Sequence, residues 1–131
     1  MKLATWNVNS LKVRLPQVLD FLTAQTPDVL CLQETKIKDD KFPLMEIVAA
    51  GYQAICCGQK TYNGVAILSR NQAADVVMGI DGYVDPHKRF IAATVDGVPA
   101  TLDATPHHGR MLVPVQLALD GERVVTFDTA T

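Results

Sequence analysis

The chain carries no excess of positive charge. Twelve Lys and Arg stand against 14 Asp and Glu, a formal net charge of −2. No global attraction to nucleic acid is therefore built in, and any basic surface has to be local. Cysteine is scarce: Cys31, Cys56 and Cys57 make an odd count, and the adjacent pair cannot easily bridge. Reduced thiols and a cytoplasmic location are the expectation. A long apolar run is missing from the start, because "MKLATWNVNS" turns polar by Asn7. Neither a signal peptide nor a membrane span is expected there, and no membrane partner is expected. Internal repeats, low-complexity tracts and linkers are also lacking. What remains is 131 residues with 48% hydrophobic and 20% charged side chains, far from the profile of disorder and suited to one domain with one core.

Residues 2–8, "KLATWNV", alternate and are rich in strand formers. Asn9 or Ser10 is placed to cap a helix in which Leu11, Leu15, Val18, Leu19 and Leu22 recur at helical spacing to about Gln25, with Pro16 in a first turn. "TPD" breaks the chain, and "VLCLQE" is a short, nearly continuous apolar run, as in a strand covered on both faces. "FPLMEIVAAG" reads as a second helix closed by Gly51. The segments "YQAICC", "GVAILSR", "ADVVMGI" and "RFIAATV" follow as strands. Asp96-Gly97 and Asp120-Gly121 are hairpin signals, and Pro99 and Pro114 beside them belong at sheet edges or bulges.

The stretch "DVLCLQETK", Asp28 to Lys36, runs from buried-strand residues straight into a carboxylate. If the first two strands are joined by a crossover helix, their C-terminal ends share an edge, and Asn7 and Glu34 become neighbours there. A carboxylate beside a side-chain amide suits Mg²⁺, which takes oxygen ligands, few of them carboxylates, and keeps places for water and phosphate. The plainer alternative has Glu34 paired with Lys36 or Lys38 at the surface and Asn7 capping a turn. Spacing alone leaves both open.

"LATWNVNSLKVRL", "PDVLCLQETK", "GYQA" and "KTYNGVAILSR" resemble the exodeoxyribonuclease III family, of the endonuclease/exonuclease/phosphatase superfamily, from residue 1 to about 97. The resemblance implies an α/β fold, part of a four-layer α/β sandwich. It implies a Mg²⁺-dependent DNA-repair phosphodiesterase, with Mn²⁺ as a substitute, acting on double-stranded DNA 5′ to abasic sites and at 3′ ends. It makes Glu34 the glutamate that binds the catalytic metal and Asn7 the asparagine that helps place metal and phosphate. Gln33 and Asn9 become supporting residues. Lys36, Lys60, Tyr62, Asn63 and Arg89 become contacts to the DNA backbone, which position without reading sequence.

From Val98 onward the sequence "VPATLDATPHHGRMLVPVQLALDGERVVTFDTAT" no longer matches the pattern. The expectation is an N-terminal half-domain, 1–97, and a divergent β-rich tail, 98–131, whose own β-hairpin packs on it. The helix, the Asp-x-Asn pair and the late Asp and His that the resemblance calls for have no counterpart in this reading. The tail offers only Asp103, His107 and His108 as replacements, in a segment that reads as an exposed loop. Weak or absent turnover by a truncated chain is therefore expected, with a sheet face left open to self-association. The rivals are a non-catalytic domain that binds Mg²⁺ and DNA, and a phosphatase of the same superfamily.

Overall fold

The alternating start of the chain forms β1 (Lys2–Asn7), and the heptad-like leucines form α1 (Leu11–Gln25). The apolar run forms β2 (Val29–Gln33), parallel to β1 with Asn7 opposite Gln33. A short 3-10 turn (Asp39–Lys41) leads into α2 (Leu44–Ala49), followed by β3 (Gln53–Cys57) and β4 (Val65–Ser69). Next come β5 (Ala74–Met78), β6 (Phe90–Val95) and β7 (Val98–Asp103), then β8 (Pro106–His107), β9 (Arg110–Met111), β10 (Val115–Leu117) and β11 (Arg123–Asp128). This computed structural model describes residues 2–58, 63–78, 90–103, 106–107, 110–111, 115–117 and 123–128.

The strands make a five-stranded sheet in the order β11-β1-β2-β4-β3, a four-stranded sheet in the order β10-β7-β6-β5, and a small β8-β9 pair. Even-numbered residues of the first sheet (Ala4, Trp6, Leu30, Leu32, Ala66, Leu68) pack with Val18 and Leu22 of α1 and Ile47 of α2. Odd-numbered ones (Leu3, Val29, Cys31, Val65, Ile67) meet Ile91, Ala93 and Val95 of β6. The period of two thus explains the continuous apolar runs: both faces of the sheet are buried, one by helices and one by the second sheet. Three of the four expected layers are in place. Both described helices lie on the first sheet, and Val76 and Val77 of the second remain exposed.

Several expectations need adjusting. Pro16 falls in the second turn of α1, on its exposed side. Ser10 stands at the N-cap position of that helix but does not cap it with its side chain. The backbone N–H groups of Ser10 and Leu11 instead donate to the carbonyls of Glu34 (2.8 Å) and Thr35 (2.9 Å). The Asp96-Gly97 hairpin forms, with φ of 51° and 77° as a type I′ turn requires. Pro99 lies in β7 just outside the span that β10 pairs, so its missing N–H costs no ladder bond. Among the described residues the strands of the expected C-terminal hairpin do not pair with each other: β10 joins β7 in the second sheet, and β11 runs parallel to β1 in the first. Two strands with apolar alternation can pair with each other or complete two sheets, and the open flanks of β7 and β1 take them. Pro114, Asp120 and Gly121 lie outside the described residues.

Candidate active site at the C-terminal end of the first sheet

Parallel β1 and β2 bring their polar ends together. Thr5, Asn7 and Gln33 share the odd-numbered face, and all three are buried, Asn7 with 5% and Gln33 with 1% of its surface exposed. Gln33 Nε2 donates to Thr5 Oγ1 (2.7 Å) and to its own strand's Cys31 carbonyl (3.2 Å), so this buried amide fixes the strand ends. Asn7 Nδ2 donates to Glu34 Oε2 at 2.5 Å, and Asn7 Oδ1 accepts the Asn9 N–H at 3.1 Å. Lys36 Nζ donates to Asn9 Oδ1 (2.5 Å) and stands 3.9 Å from Glu34 Oε1. Asn7 and Glu34 are therefore neighbours, and the lysine pairing of the plainer alternative is present as a long contact beside the amide contact.

The loop that carries Glu34 is held in a conformation that its residues disfavour. Glu34 (φ 52°) and Lys36 (φ 54°) are left-handed, as are Asn9 (42°), Ser10 (93°) and Asn63 (56°) on the adjoining loops. Each such non-glycine residue costs about 1 kcal/mol or more, so the surroundings must hold it there. They do so through the backbone. Thr35 N–H donates to the Gly64 carbonyl (3.2 Å) and Lys36 N–H to the Asn63 carbonyl (2.8 Å). Gly64 has φ 96°, and a Cβ on it would overlap Thr35 Oγ1, so only glycine lets the two loops come this close. Gly58 does the same one step outward, where a Cβ would overlap the Ile37 carbonyl.

Asn63 thus enters the site as a backbone clamp. Lys60, Tyr62, Arg89 and His108 lie outside the described residues. Asp103 ends β7 opposite Phe90, and His107 pairs with Arg110 in the β8-β9 ribbon, so neither belongs to the sheet that carries Glu34. One residue that sequence reasoning passed over does: β11 places Asp128 at the register position beside Asn7. Its strand, "RVVTFD", ends in a carboxylate as "VLCLQE" does, and that was the available signal. Among the described residues no group of three His, Cys, Asp or Glu forms a ready-made metal cage.

The sequence model of the Endonuclease/Exonuclease/phosphatase family matches residues 4–126. The chain belongs to this family. The match continues past residue 97, where the motif resemblance was lost. An exodeoxyribonuclease of Bacillus subtilis is 31% identical over 130 residues, covering 95% of this chain and 50% of the relative. Among solved structures, a 3′ phosphatase from Neisseria bound to a product DNA hairpin is 52% identical, with a TM-score of 0.75, over 77% of this chain and 40% of that one. An AP endonuclease from Archaeoglobus fulgidus is 41% identical, with a TM-score of 0.71, over 74% and 38%. This chain thus spans about half or less of the length of these relatives.

Proposed function

We propose that this chain carries the metal- and phosphate-binding half of a DNA-repair phosphodiesterase that acts on abasic sites and 3′ ends of double-stranded DNA. The observation that carries this reading is Glu34, held on a left-handed backbone with one carboxylate oxygen on Asn7 Nδ2 and the other near Lys36. A structural carboxylate needs no such arrangement. The resemblance to DNA exonucleases, AP endonucleases and a 3′ phosphatase supports DNA as the substrate.

The Glu34 carboxylate beside the Asn7 amide suits Mg²⁺, and Mn²⁺ in its place, with Glu34 as the protein ligand. Bound there, such an ion would neutralise charge developing on the phosphate and supply an activated water. Asn7 turns its nitrogen, not its oxygen, toward Glu34, so its part is to orient the carboxylate and leave an oxygen free for the ion. Lys36, poised by Asn9 and only loosely paired with Glu34, is free to swing to a phosphate oxygen. Gln33 and Thr5 keep the two strand ends rigid beneath them.

The test is an end-labelled duplex with one abasic site, incubated with Mg²⁺ or EDTA and followed both by anisotropy and by cleavage, for the wild type and Glu34→Gln. The expected result is binding that needs Mg²⁺ and Glu34 and weakens as salt rises, with nicking slow or undetectable. Binding that ignores Mg²⁺, salt and the substitution would overturn the reading. A second reading, removal of 3′-terminal phosphate from DNA, is favoured by the Neisseria likeness, and a 3′-phosphorylated duplex in the same assay separates the two.

A further inference from the structure

Beside the Glu34 site a cleft of about 670 Å³ opens between the N-terminal half of α1 and the 36–43 segment. Four lysines, Lys12, Lys36, Lys38 and Lys41, line it as a basic rim in composition, and Leu15, Ile37 and Pro43 supply its apolar lining, or floor. No carboxylate lines it, although Asp39 and Asp40 sit in the same segment and Asp39 Oδ1 is turned away to accept the Gly58 N–H at 2.8 Å. Lys12, Lys38 and Lys41 are exposed and make no ion pair among the described residues. Four lysines line one opening, and among the described residues only Lys36 of the four has a side-chain partner, Asn9 with Glu34 beyond it, so the cleft concentrates positive charge that an anion offsets. An inorganic anion would use the rim and leave the apolar floor idle. A ligand with a phosphate at one end and a flat apolar face at the other uses both, and the volume lies in the range of small-molecule pockets. Lys36 lines the cleft and also stands at Asn9 and Glu34, so the cleft and the site share this residue.

We propose that this cleft is a nucleotide subsite, which takes one unpaired nucleotide unit with its phosphate on the lysine rim and its base on the Leu15, Ile37 and Pro43 floor. The proposal rests on the reading of the Glu34 site only for the ligand being a nucleotide, and its test needs no metal. Deoxyadenosine monophosphate, deoxyadenosine and inorganic phosphate are each titrated calorimetrically in EDTA into the wild type and into Lys38→Gln/Lys41→Gln, both exposed positions outside the Glu34 site. The monophosphate is expected to bind the wild type more tightly than either fragment does. Its affinity should fall about tenfold in the double variant, the scale of a lost charge-assisted contact.

Absence of monophosphate binding, equal binding by the double variant, or phosphate alone binding as well as the monophosphate would overturn the assignment. The same unit has two sources. A duplex with one unpaired 3′ nucleotide that outbinds a blunt duplex in the wild type alone assigns the cleft to the strand itself. Equal binding of the two duplexes, with monophosphate binding intact, assigns it to a released mononucleotide. Failure of the Glu34 reading would show separately, as metal-independent behaviour of Glu34→Gln with monophosphate binding retained.

Discussion

The two ends of the first sheet each carry a carboxylate, and the two are treated differently. At one end Asp28 Oδ2 accepts the Lys2 N–H at 2.6 Å, Asp28 Oδ1 lies 4.0 Å from the Arg70 guanidinium, and the Asp28 backbone bonds to Lys2 and Arg70. Lys2 Nζ is itself spent on Gln25. At the other end Glu34 accepts from the Asn7 amide at 2.5 Å and has a lysine 3.9 Å away, on a backbone that its residue type disfavours. Of the eight non-glycine residues with positive φ among those described, five stand on the loops at the Glu34 end and one, Thr26, at the Asp28 end. The first end ties a strand to its neighbours. The second, on the proposed reading, holds charge for a ligand at the expense of stability.

This contrast can be broken at its hinge. Gly64→Ala puts a methyl group into Thr35 on a left-handed backbone, and should lower stability by about 3 kcal/mol while displacing the 34–36 loop. Urea denaturation measures the first effect and loss of metal binding the second; an unchanged midpoint would mean that the clamp is not needed. Asn7→Ala leaves Glu34 unoriented and should weaken divalent-metal affinity by about 10- to 100-fold, as removal of a ligand's hydrogen-bond partner does. Asp28→Asn should do the reverse, lowering stability by about 1 kcal/mol with metal affinity unchanged.

The least local expectation concerns pH. Burial pushes the Cys31 thiol up to about 12, and burial with the Asp39 carboxylate pushes Cys56 there as well. Both folded values lie above the ordinary 9.0, so the contribution to stability is complete below pH 9 and is lost as pH rises toward 12. Urea midpoints taken from pH 8 upward should fall across that window, and a flat profile would contradict it. Cys31 lies in the middle of β2, whereas Cys56 is level with Leu32, toward the Glu34 end.

Much of the first sheet was legible because periodicity and burial agree. The "VLCLQ" run is buried on both faces, and the spacing of Leu11, Val18 and Leu22 is the stripe α1 turns to the sheet. That Asn7 and Glu34 are neighbours followed from the expected parallel pairing, and their place in a site from the family resemblance. What stayed hidden depends on contacts distant in sequence. Nothing local distinguishes Asn63-Gly64 as a turn from Asn63-Gly64 as the clamp on Thr35. The cap expected from Asn9 or Ser10 gave way because the 34–36 loop already supplies carbonyl acceptors to the helix start. The place of β11 was hidden for a similar reason: "RVVTFD" alternates as a hairpin partner would, and only the vacant flank of β1 makes it a parallel strand with Asp128 beside Asn7.

The central claim is that Glu34, oriented by Asn7, holds a divalent cation that Asp28 does not. The most direct measurement is a Mn²⁺ titration followed by electron paramagnetic resonance on the wild type, Glu34→Gln and Asp28→Asn at matched folded fractions. One site in the wild type and in Asp28→Asn, absent from Glu34→Gln, is the predicted result. A site of equal affinity in all three proteins, or one lost only with Asp28, would contradict the account.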